Sequence, residues 1–160
     1  MSRGSEKSRI VQSILDRLID DDPFSSVDPT PDESTLLRLV QQSIRRDLQD
    51  LLNSRIRCVP WLPQYTELDT SLVNYGLPDF TAASLDAASD PEILIEAIRK
   101  AIDIFEPRLT EVRIRQLQNE FELNRIFLFR IEATVLINEK KHMLLYDSQL
   151  ESTTGQFNVK

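Results

Sequence analysis

Apolar residues recur along this chain with two different periods. Up to about residue 105 the spacing is mostly helical, and beyond residue 109 it alternates. Ile10, Val11, Ile14, Leu15, Leu18 and Ile19 share one helical face, with Asp16, Arg17 and Asp20 off it. This predicts an amphipathic helix from about Glu6 to Asp20. The acids Asp20, Asp21 and Asp22 oppose the helix dipole, and Pro23 ends the run. A second helix opens with Thr30 as N-cap, Pro31 at the first position and Glu33 at the third. Its stripe is Leu36, Leu37, Val40, Ile44, Leu48, Leu51 and Leu52, closing at Asn53. A third begins at Asp90–Pro91, buries Leu94, Ile98, Ala101, Ile102 and Phe105, and stops at Glu106–Pro107.

The alternating half predicts strands. Val112 and Ile114 alternate with Glu111, Arg113 and Arg115. Phe127, Phe129, Ile131, Ala133, Val135 and Ile137 share one face of a second strand. Its other face mixes Arg130, Glu132 and Thr134 with Ile126, Leu128 and Leu136. Asn138-Glu139-Lys140 reads as a hairpin turn, followed by a strand over Lys141 to Leu150 and a short one over Gly155 to Val159. Short connections favour an antiparallel meander. The expected fold is α+β: a sheet of three to four strands from the C-terminal half, packed on two main helices, plus the N-terminal amphipathic helix. Residues 1–29 read as an arm and linker, and 30–160 as the domain.

Residues 54–88 are irregular, broken by Pro60, Pro63 and Pro78. Short helices are expected around Thr70 to Asn74 and Phe80 to Leu85. Tyr75-Gly76-Leu77-Pro78-Asp79 reads as a turn. Trp61, Tyr65 and Tyr75 are anchors for packing or for a partner.

Composition narrows the function. A chain of 160 residues suits one domain. The net charge of −7 argues against nucleic acid and against a polybasic membrane contact. No run approaches a membrane span, and Met1 to Ile10 lacks an apolar signal segment. One cysteine, Cys58, allows no internal disulfide. The expected protein is soluble and cytoplasmic, with no direct membrane insertion.

The chemistry offered is sparse. The three glycines lie far apart, so no phosphate loop can be built. One His and one Cys exclude an ordinary zinc site. His142 reads as a bystander in a strand, and Cys58 as a small buried apolar residue. No cofactor, metal, catalytic residue or small-molecule substrate is expected. Glu106 is the acid candidate for a glycosidase, but Arg108 beside it favours the charged form, the wrong direction for a general acid. An exposed Glu106–Arg108 ion pair contributes at most ~1 kcal/mol.

Four segments in order carry a resemblance. They are Ser13-Ile14-Leu15-Asp16-Arg17-Leu18-Ile19-Asp20-Asp21-Asp22-Pro23, Leu51-Leu52-Asn53-Ser54-Arg55, Ser71-Leu72-Val73-Asn74-Tyr75-Gly76-Leu77-Pro78-Asp79, and Phe105-Glu106-Pro107-Arg108-Leu109. Ser54 stands where the second motif has Thr. Together they are similar to the baseplate-wedge family that includes TssE of type VI secretion and small wedge proteins of contractile phage tails. The resemblance implies a non-enzymatic, structural role in a cytoplasmic baseplate with TssF, TssG and TssK. It further implies a start point for the TssB/TssC sheath, through an open sheet edge that accepts strands. On this reading Glu106 and Arg108, held by Pro107, bond a wedge partner, and Arg55 joins that cluster. Tyr75, Gly76 and Leu77 are further contact residues, and the helix with Leu15, Leu18 and Ile19 either docks in a partner groove or packs on the protein's own core. The alternatives are a lysozyme-like cell-wall hydrolase and a soluble adaptor sharing the fold.

Overall fold

The structure is a computed structural model; it describes residues 13, 16, 18, 32–57, 61–79, 91–117, 126–151 and 153–160. Helix α1 spans Glu33–Asn53 and helix α2 Pro91–Phe105. Strands β1 (Leu109–Gln116), β2 (Ile126–Ile137), β3 (Lys140–Glu151) and β4 (Gln156–Val159) form one antiparallel sheet in the order β1-β2-β3-β4. The α+β meander expected from the sequence is what forms.

Each helix follows its apolar stripe. Val40, Ile44, Leu48, Leu51 and Leu52 of α1 are buried, as are Leu94, Ile98, Ala101 and Ile102 of α2. They meet Phe129, Ile131, Ala133, Val135 and Ile137 of β2, with Leu144, Tyr146 and Leu150 of β3 and Phe157 and Val159 of β4. Burying apolar area on this scale is the main term holding the layers together. The Tyr146 hydroxyl donates to the Gln41 carbonyl at 3.1 Å, so a buried phenol also ties β3 to α1.

Two local expectations change. Asp32, not Thr30, caps α1: it is extended, and its carbonyl accepts the Leu36 N–H at 2.9 Å. Asp is as good a cap as Thr and lies next to the first helical residue. Residues 66–70 and 72–74 are two 3-10 turns, so the first expected short helix begins earlier. The helix expected over 80–85, Cys58, Leu15 and Ile19 lie outside the described residues.

β1 carries a bulge. Thr110 pairs with Thr134 but Arg113 pairs with Glu132, so one extra residue sits on β1. Glu111, at φ 56°, is where the strand kinks. The β2–β3 ladder has no such irregularity over its twelve pairs. Its tight turn has φ > 0 at Asn138 and Glu139, the mirror-image turn that matches strand twist.

Candidate functional site

The Glu-Pro-Arg corner is built by the end of α2. The Glu106 N–H donates to the Ile102 carbonyl at 2.9 Å, completing the last helical turn. Pro107 starts the turn, and the Leu109 N–H donates back to the Glu106 carbonyl at 3.0 Å. The chain thereby reverses into β1, and both charged side chains fold beneath it. Glu106 is 4% exposed. Arg108 Nε and Nη2 each donate to one Glu106 carboxylate oxygen at 2.5 Å, a two-pronged fork. Arg108 Nη2 also reaches Asp47 Oδ2 at 2.5 Å, and Nη1 reaches Ser43 Oγ at 3.1 Å.

The sequence reading has these charges bond a partner; in the structure they also pair with each other and with α1. A buried charge must be paired, and the nearest pairing surface is the polar side of α1 at Ser43 and Asp47. Burial alone works against the Arg108 charge, but Glu106 and then Asp47 outweigh it and raise its pKa further.

The network continues toward the N-terminus. Arg46 bridges Asp47, at 3.0 Å, and Asp16, at 2.9 Å. Ser43 Oγ donates to Asp16 Oδ2, and Ser13 Oγ donates to the same oxygen at 2.9 Å. Ser13 is not helical, whereas Asp16 and Leu18 are. The Asp16 N–H donates to Ser13 Oγ at 3.1 Å, and Ser13 itself is not helical although the helix expected from Glu6 includes it. Partial burial acts to raise the Asp16 carboxyl, but hydrogen bonds from Ser43, Arg46 and Ser13 win and hold it at about 2. The contact therefore persists above the ordinary carboxylate range and fails only as pH falls through that value.

Arg55 is not in this cluster, contrary to expectation. Its Nη2 donates to the Gly155 carbonyl at 2.5 Å and its Nη1 to Leu52 at 3.0 Å. Its guanidinium lies over the Phe157 ring, 6.0 Å from the centroid. The reason is position: it follows the end of α1, where the β3–β4 turn presents bare carbonyls. Tyr75 packs edge-on against Phe105, 5.2 Å between ring centres. Burial first, then Asp50, Asp47 and Glu106, push its hydroxyl pKa up. Gly76 and Leu77 face inward: Leu77 is fully buried, and its N–H donates to the Ser54 carbonyl at 2.9 Å. The Ile56 N–H donates to the Leu77 carbonyl at 3.0 Å, completing a small parallel bridge. Gly76 and Leu77 thus hold the irregular segment to the end of α1. Leu18, by contrast, is 77% exposed.

Among the described residues no group of three or more His, Cys, Asp or Glu could hold a metal ion. The network's carboxylates are occupied by arginine. It is an arrangement for rigidity rather than for proton transfer.

A family model described as "Baseplate wedge protein gp25" matches residues 38–140. The chain belongs to this family. A member of the baseplate wedge family is a structural component of a baseplate, and that is the role of this chain. One chain of a solved structure titled "The baseplate complex from the type VI secretion system" superposes with a TM-score of 0.48 at 18% identity. The superposition covers 78% of this chain and 97% of that one. No curated protein matches the sequence. Asn53, Arg55, Gly76, Glu106 and Arg108 all lie inside the matched stretch, and Asp16 lies before it.

The edges of the wedge protein's sheet are treated unequally. β4 is closed by α1. Gln49 Oε1 accepts the Val159 N–H at 2.7 Å, and its Nε2 donates to Phe157 O at 2.5 Å. Asn53 accepts the Phe157 N–H and donates to its carbonyl, both at 2.9 Å. Two side-chain amides one helical turn apart thus take the place of a neighbouring strand. β1 is guarded by its bulge and by exposed Glu111, Arg113 and Arg115. The first half of β3 differs. β4 pairs only with residues 148–151, and Lys160 N–H donates to Asp147 O at 2.9 Å. Asp147 therefore turns its main chain toward β4, and with a period of two so do Lys141, Met143 and Leu145. No strand among the described residues lies beside these three. Met143 is 74% and Leu145 48% exposed.

Sequence reasoning missed Ser43, Arg46, Asp47 and Gln49. The available signal was the polar i, i+4 pairs Ser43/Asp47 and Gln49/Asn53 flanking an otherwise apolar stripe.

Proposed function

We propose that this chain is the TssE-type wedge subunit of a cytoplasmic type VI secretion baseplate. It joins TssF, TssG and TssK, and it starts the TssB/TssC sheath by accepting an extended segment along the first half of β3. Family membership supports the baseplate role. Among the described residues no helix is long and apolar enough to cross a membrane, which is compatible with a cytoplasmic address. The observation that carries the strand reading is the contrast between edges. β4 is closed by Gln49 and Asn53, while Lys141, Met143 and Leu145 keep main-chain donors and acceptors facing outward beside apolar side chains. An added strand there would gain main-chain bonds at one edge and apolar neighbours on one face.

The hydrolase alternative asks Glu106 to give up a proton in a cleft. Both of its carboxylate oxygens are held by Arg108 beneath the corner, so this reading assigns the chain no enzymatic activity.

Proline at position 143 tests the edge. It deletes an outward N–H without removing a β2–β3 ladder bond. Met143→Pro is expected to slow TssB/TssC sheath nucleation about tenfold, the factor for ~1.4 kcal/mol of lost pairing. Binding to TssF, TssG and TssK is expected to stay at the wild-type level. Electron microscopy of sheath formation and co-purification read the two effects. Unchanged nucleation by a folded variant contradicts strand addition at β3.

A further inference from the structure

The polar network built on Arg108 and Arg46 ends on a segment outside the family match. Asp16 receives Arg46 Nη2 at 2.9 Å and the hydroxyls of Ser43 and Ser13. Ser43 is 8% exposed and accepts Arg108 Nη1 at 3.1 Å on its other side. A continuous chain of hydrogen bonds therefore runs Glu106, Arg108, Ser43, Asp16. Arg46 forms a second branch through Asp47.

Two features mark this as a built contact rather than a chance surface pair. Asp16 is separated by 27 residues from Ser43 and 30 from Arg46, yet its oxygens serve both. The same Ser13 hydroxyl that accepts the Asp16 N–H also bonds the Asp16 side chain, which orients the carboxylate before it meets α1. The helical residue two positions on, Leu18, is 77% exposed. On a helix, a two-residue offset places it about 200° around the axis from Asp16. Hence Asp16 faces α1, and Leu18 faces outward.

We propose that Asp16 is a latch, and that the Glu106–Pro107–Arg108 corner serves, through Ser43 and Arg46, as the body's own anchor for the helix that carries Leu18. The corner acts at a distance: it fixes Arg108, Arg108 fixes Ser43, and Ser43 with Arg46 fixes Asp16. Loss of the corner then loosens the helix through Ser43 and Arg46. It also explains why a buried ion network stands at a surface turn. The corner is the mount of the latched helix.

The test is limited trypsin digestion of the full chain, following cleavage after Arg17. Hydrogen exchange of residues 98–102 in α2 reports the body. Asp16→Asn keeps the shape and removes the charge. It is expected to speed cleavage after Arg17 about tenfold while exchange in α2 is unchanged. Ser43→Ala, which cuts the relay but leaves the Arg108–Glu106 fork, is expected to give at least threefold. The exposed-pair control Arg99→Gln is expected to give no change, since among the described residues Arg99 bonds Glu96 and Asp103 on α2. A double charge swap, Asp16→Arg with Arg46→Asp, is expected to return the rate toward wild type. Wild-type cleavage rates in both Asp16→Asn and Ser43→Ala overturn the latch. Acceleration in Asp16→Asn alone, with Ser43→Ala silent, overturns the link to the corner.

Discussion

Arg108→Ala is expected to lower the stability of this protein by about 3–5 kcal/mol, the cost of leaving one member of a buried ion pair unpaired. For a chain of this length that is a fall in melting temperature of roughly 10 °C. The size follows from where the charges are. Glu106 is 4% exposed, and both its oxygens accept from Arg108. Removing the arginine strands that carboxylate in a low-dielectric corner and leaves Asp47 and Ser43 short of a donor. An exposed pair would cost only ~1 kcal/mol. A urea titration separates the two magnitudes. The paired replacement Glu106→Leu with Arg108→Met is expected to cost less than either single change, because no fully buried charge is left without its partner. A loss below ~1 kcal/mol for Arg108→Ala would mean that the fork does not hold the corner.

Gly76→Ala is expected to cost about 2–4 kcal/mol, combining backbone strain and overpacking. Gly76 has φ +114°, outside the left-handed region that Asn or Asp tolerates. A Cβ built there would lie 2.5 Å from the Ser54 carbonyl oxygen. That oxygen cannot yield easily, because it accepts the Leu77 N–H and belongs to the bridge that seats fully buried Leu77. The consequence is wider than one turn. Tyr75, packed on Phe105 at the end of α2, would be pulled from its place beside the corner. Gly155→Asn makes the control. At φ 68° it lies where Asn is accommodated, and its expected cost is under about 1 kcal/mol. Equal costs for the two substitutions would show that the clash with Ser54 does not matter.

The layers of this protein were legible because apolar spacing is a strong signal. α2 begins at Pro91 and ends at Phe105, as its leading proline, stripe and following proline predict. The β2–β3 hairpin sits where alternation and the Asn138–Glu139 turn place it. The direction of the charged groups was not legible. Glu106 and Arg108 read as an exposed corner, because nothing local says that a turn will fold its side chains beneath itself. Their partners Ser43 and Asp47 are more than fifty residues away, on a helix whose polar positions look like ordinary solvated ones. Arg55 was misplaced for the same reason: the carbonyl that attracts it belongs to Gly155, a hundred residues on. Long-range polar pairing depends on tertiary geometry, which periodicity does not encode. Asn53 stood in a recognisable motif, but its role in closing β4 appears only when Gln49 and Phe157 are seen with it.

Affinity capture of the tagged full chain from native bacterial cytosol, read by quantitative mass spectrometry, addresses the central claim most directly. The account predicts enrichment of TssF, TssG and TssK, together with sheath subunits TssB and TssC. It predicts the sheath subunits alone to be depleted when Met143→Pro replaces the wild type. Capture by the folded wild-type protein of none of these baseplate or sheath components would contradict it.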